Sequence, residues 1–181
     1  MIVFQLNPLK ATQVAAYFIK SNGKHINYTK MIKLMYLADR EALKKWNRPI
    51  TGGSYVSMVN GPVLSEVYDW IRGKTENKYW LCSIKKQGFE TILVQDPGDG
   101  ELSEAEIKLL NEIDKKFKKY TFGGMIDYCH THIKEWEDPS GSSLPIANER
   151  LLTFIGKEPR EIKKIEQEIS DFHFAHAVFG S

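Results

Sequence analysis

Cys129 and His132 stand three residues apart, and so do His173 and His176. On helices each pair shares one face, the arrangement in which two side chains reach the same zinc ion. A metal-dependent hydrolase is the enzyme such pairs would serve. Neither pair has the C-x-x-C or H-E-x-x-H context that marks a zinc motif. The plainer expectation is a small core cysteine with packing and surface histidines, and neither metal nor cofactor. Nucleophilic chemistry has less to draw on. The serines in "TGGSY" and "PSGSSLP" lie beside glycines without the G-x-S-x-G elbow. No glycine-rich phosphate loop is present. Asp39 and Glu41, two apart on a helix, point to different faces and read as surface charge, not as an acid–base pair. The aromatics Tyr79, Trp80, Trp136, Phe172 and Phe174 are suited to stacking on bases or anchoring a protein partner, with core packing as the bland reading of each. No enzyme is expected.

These residues must be held by elements whose periodicity is legible. Ala11, Val14, Ala15, Phe18 and Ile19 predict a helix from Pro8 to Ile19. The segment 27–46 is the strongest helix, with Asn27 or Thr29 as its cap and Met31, Leu34, Met35, Leu37, Ala38 and Ala42 as its apolar face. Alternation over 54–59 predicts a strand. After Gly61 and Pro62 the apolar residues fall at helical spacing, so Pro62 is expected at the first helical position and Asn60-Gly61 at a corner. The free N–H groups of that helix would suit an anion, although a corner alone suffices. Two β-rich runs around Lys86-Gln87-Gly88 predict a hairpin. Ser103 and Glu106 form a capping box for a helix to about Tyr120. Further helices are expected over "GGMIDYCHTHIKEW", over "NERLLTFIG", and from Pro159, with Ile162, Ile165, Ile169 and Phe172 along one side. The expectation is an α+β, mainly helical fold of about six helices around a small antiparallel sheet of three strands, in a single domain over 1–181.

The chain length of 181 residues suits such a core, and with 42% hydrophobic and 27% charged residues disorder is not expected. The net charge of +2 is too small to argue for nucleic acid. The charge is uneven, however. Residues 1–50 hold nine Lys or Arg against Asp39 and Glu41, a bias able to steer an oppositely charged partner, or simply a solvated face. Nucleic-acid binding through this half is an alternative of lower standing. Two distant cysteines make no disulfide framework. With no signal peptide and no long apolar run, a cytoplasmic protein without a membrane partner is expected.

"KATQVAAYFI", "KLMYLAD" (Lys33 to Asp39), "PITG" (Pro49 to Gly52) and "NGPV" (Asn60 to Val63), in this order and spacing, resemble the Panacea domain, an antitoxin family that includes SocA and the phage-associated GepA-like proteins. "LSEAEIKLLNEI" and "YCHTHIKEWEDP" resemble its second half, where a helix carrying a histidine and followed by a tryptophan is expected: His130 or His132 with Trp136. The resemblance covers about 9–137, with 147–179 a looser helical segment. It implies an antitoxin of a bacterial or phage two-gene system that neutralises a protein toxin by direct binding. Delivery of the toxin to a ClpXP-type protease is an alternative. Many members carry a further DNA-binding domain; since this chain begins almost at the domain start, none is expected before it. The resemblance assigns Lys33, Leu34, Tyr36, Asp39, Pro49, Thr51, Gly52, Asn60, Gly61, Pro62 and Val63 to the scaffold. The less family-like parts are the recognition candidates: the hairpin tip with Lys86 and Gln87, the loop 138–143, and the apolar tail with Phe172, His173, Phe174 and Phe179; Trp136, inside the family-like block, is a further partner-binding candidate.

Overall fold

The helix on which everything rests starts where the Asn27 side chain accepts the N–H groups of Thr29, at 2.9 Å, and Lys30. This helix, α2 (Tyr28–Trp46), is closed by Asn47 in the left-handed conformation (φ 60°). The computed structural model describes residues 1–179, the side chain of Phe179 excepted. Met31, Leu34, Met35, Ala38, Ala42 and Leu43 of α2 are fully buried, each large one contributing about 1.5–3 kcal/mol. α1 (Pro8–Ser21), capped by Asn7, packs on one side of α2. α5 (Glu104–Lys116) and α6 (Phe122–His132) pack on others. α5 begins with the reciprocal Ser103–Glu106 box read from the sequence.

Two antiparallel sheets flank this core instead of the expected one. The first joins β1 (His25–Asn27), β4 (Ile84–Gln87) and β5 (Glu90–Leu93) in the order β1-β5-β4. The second joins β2 (Tyr55–Met58), β3 (Gly61–Leu64) and β6 (Leu144–Ile146) in the order β3-β2-β6. β1 and β6 are three residues each, too short to show alternation.

The described residues form eight helices, not six. α3 is Ser65–Ile71 and α4 is Lys78–Ser83. α4 lies where a β-rich run was expected. Asn77 caps it through the N–H groups of Tyr79 and Trp80, and Trp80 is buried 5.7 Å from the Trp70 ring. α7 (Asn148–Phe154) and α8 (Pro159–Phe179) complete the chain.

"NGPV" is also corrected. It is a hairpin, not the entry to a helix. Gly61 pairs with Met58 and Pro62 with Ser57, and the helix begins only at Ser65. β3 is an edge strand, where the missing N–H of Pro62 breaks no internal ladder. The anion site at that helix start therefore does not exist. Gly61 has φ +98°, and a Cβ there would lie 3.1 Å from Cys129 Cβ and 3.3 Å from Lys33 Cε. Glycine is needed for both reasons.

Candidate functional site

The motif residues of α2 spread their polar groups over three other segments. Lys33, Tyr36 and Arg40 follow one stripe of the helix, and Asp39 lies beside it. The Lys33 ammonium donates to the Pro62 carbonyl at 2.8 Å. Asp39 Oδ1 accepts the N–H groups of Ile50 and Thr51, both at 2.9 Å. Its Oδ2 accepts the hydroxyls of Thr51 and of Tyr55, the latter at 2.8 Å. Burial pushes the Asp39 carboxyl up, and these hydrogen bonds pull it back in part. Tyr36 donates its hydroxyl to Glu135 Oε1 at 2.8 Å, and Arg40 Nε reaches the same oxygen at 2.7 Å. Burial, then the Glu135 charge, holds the Tyr36 hydroxyl well above its ordinary value.

The segment after α6 closes the network from the other side. Trp136 Nε1 donates to the Met58 carbonyl at 2.8 Å. The His130 ring stacks on Trp136 at 4.2 Å, with its Nε2 3.0 Å from the Val59 carbonyl. His130 is thus the histidine that partners Trp136. His132 instead stacks on Tyr128 at 4.3 Å. Leu34 and Val63 are buried in the core, and Pro49 and Gly52 stand in the loop that Asp39 holds. A Cβ on Gly52 would fall 2.2 Å from the Gln5 carbonyl oxygen. Glu135 and Arg40 were not singled out from the sequence. Both are well covered in the fold, Glu135 to 1% exposure, and no sequence signal marked them.

The histidine pairs do not converge. Cys129 is buried beside Lys33, and burial, opposed by the Lys33 charge, raises its thiol to about 11. His173 and His176 lie on α8. Among the described residues no three His, Cys, Asp or Glu side chains gather to hold a metal ion. No helix among them is long and apolar enough to cross a membrane. Lys86 and Gln87 are exposed on β4, and Trp136 is half-buried. Phe172 and Phe174 are 61% and 70% exposed on α8, with His173 between them partly covered. Phe179 ends that helix, and its side chain lies outside the described residues.

Lys33 is the anomaly of the network. It is 1% exposed, and burial lowers its pKa from the ordinary 10.5 to about 8. Between these two values the unfolded chain holds a proton that the folded chain has shed. Stability therefore rises with pH across that window. We expect the chain to gain on its Lys33→Met variant between pH 7.5 and 9.5 in urea titrations, and a constant difference would contradict the buried-cation account.

Fold and site together define a mainly helical α+β scaffold, locked by a buried polar network that joins α2 to the loop 49–52, to strands β2 and β3 and to the segment after α6. The family model described as "Antitoxin SocA-like, Panacea domain" matches residues 31–137, and the chain belongs to that family. The match holds every block of the network and leaves α1 outside. No curated protein and no solved structure matches the chain significantly.

Proposed function

We propose that this protein is an antitoxin that neutralises a protein toxin encoded by an adjacent gene, binding it directly and occluding its working surface, and that it has no catalytic activity of its own. The family match over 31–137 carries this reading. The geometry supports it in one respect. The polar motif residues hydrogen-bond to other segments of the chain, while large apolar side chains stand exposed on α8. Ile165 packs that helix to the core, and Phe172, Phe174 and Val178 beyond it are more than half exposed. Aromatic side chains of this kind are the usual anchors of protein interfaces.

Expression of the neighbouring open reading frame alone should arrest growth, and co-expression of this chain should restore it. A neighbour that is harmless alone, or lethal despite the chain, overturns the proposal. Truncation after Ser170 keeps Ile162, Ile165 and Ile169 on the core. The shortened chain should keep its circular dichroism and lose at least tenfold in toxin affinity by calorimetry. Unchanged affinity would remove the tail from the interface.

A further inference from the structure

The Lys33 ammonium is buried with one hydrogen bond, to a neutral carbonyl. Among the described residues no carboxylate lies within ion-pair distance of it. Lys10 is paired with Glu106 at 2.8 Å and Arg40 with Glu135, and Lys30, which also donates only to a carbonyl, that of Lys118, has the Asp114 charge acting on it. An unpaired buried charge is costly, so its retention asks for an anion that the free chain does not contain.

Lys33 lines a cavity of about 140 Å³, walled by Tyr28, Thr29, Asn60 and Tyr68. At about 30 Å³ per water, this is room for a carboxylate side chain. The cavity is not closed off. A second hollow of about 320 Å³ shares Met58, Tyr68, Gly141 and Ser142 with it and runs on to Arg72 and Lys74. The two form one groove between α3 and the loop 138–143. Its cations are Lys33 in the floor and Arg72 and Lys74 at the far end. Arg72 lies 4.2 Å over the Tyr68 ring. At the near end Lys86 sits 5.6 Å over the Tyr28 ring. Against these four the lining offers one carboxylate, Asp69, already paired with Arg72 at 2.6 Å.

We propose that this groove receives an acidic segment of the partner protein, one carboxylate seated on the Lys33 ammonium and the following residues running towards Lys74. The assignment rests on the antitoxin reading for the identity of that partner, but its chemistry can be tested without it. Positive groups along a groove select an acidic strand and speed its encounter. Tyr28, Tyr68 and the exposed Val59 at the rim supply the apolar contact.

The test titrates the isotope-labelled full chain with hexaglutamate and hexaglutamine peptides, following amide shifts. Hexaglutamate should give saturable shifts centred on Thr29, Asn60, Tyr68 and Ser142, and hexaglutamine should give none. Ser142→Glu, on an exposed loop that folding does not depend on, should weaken the binding at least tenfold, and Lys33→Met likewise. Lys119→Glu should change nothing. Absent or scattered shifts, equal shifts with hexaglutamine, or wild-type affinity in Ser142→Glu would each overturn the proposal. So would tighter binding of a thymidine oligonucleotide at the same amides. Toxin binding by Ser142→Glu at full strength overturns the groove alone and leaves the antitoxin standing. Groove binding of hexaglutamate without any rescue of growth has the opposite meaning.

Discussion

Asp39→Ala should lower the unfolding free energy by about 4 kcal/mol, and Asp39→Asn by only about 1–2 kcal/mol, in urea titrations at pH 7. The difference follows from the four donors that converge on this carboxylate. Alanine leaves the N–H groups of Ile50 and Thr51 facing a void, with the hydroxyls of Thr51 and Tyr55 beside them. All four residues that make this contact are buried, Asp39 itself to 1% exposure. Asparagine keeps the oxygen that accepts both N–H groups. Its amide then faces the two hydroxyls, which rotate to accept. Acid should not rescue the alanine variant. Burial raises the Asp39 pKa in the folded chain, so the stability linked to it is greatest at low pH and is lost as pH rises through the folded value. The deficit of Asp39→Ala at pH 5 should therefore be no smaller than at pH 7. A loss below 1 kcal/mol for alanine would show that the loop 49–52 does not depend on α2.

Much of the scaffold was legible because it rests on local rules. The α2 cap at Asn27, the Ser103–Glu106 box and the hairpin at 84–93 each follow from residues a few positions apart. The failures share a different cause. "KYWLCS" has β-propensity, yet Asn77 caps it and Trp80 finds the Trp70 ring, so tertiary packing overrides propensity. Val63 and Leu64 sit at helical spacing from Val67 and Ile71, but all of Gly61–Leu64 is buried, and a doubly buried strand has no alternation to read. Glu135 looks from the sequence like any surface glutamate beside a lysine. Only the fold shows that its two oxygens face Tyr36 and Arg40, about a hundred residues earlier. The polar core was thus visible as a set of motif blocks without being visible as a network.

Glu135→Ala should cost about 3 kcal/mol of stability, near the low end for breaking a buried ion pair. Arg40 Nε and Nη2 lie 2.7 and 3.3 Å from the two carboxylate oxygens, and the Tyr36 hydroxyl shares the first of them. Removal strands a guanidinium and a phenol, although the Arg40 side chain, 16% exposed, retains some water. The effect should reach further than the pair. The same short segment holds Trp136 to the Met58 carbonyl and the Glu137 N–H to Ser57 Oγ, so its release should loosen Trp136 from His130 and change tryptophan fluorescence before global unfolding. The double variant Arg40→Met, Glu135→Leu should recover most of the loss, because no charge is then left unpaired. If the double variant is as unstable as the sum of the single ones, the pair is not coupled and the network is only an assembly of separate contacts. Recovery would instead mean that ionic chemistry at this position is replaceable for folding. Among the described residues the buried cation at Lys33 has no carboxylate partner and is held by the Pro62 carbonyl alone, so the same double replacement has no counterpart there.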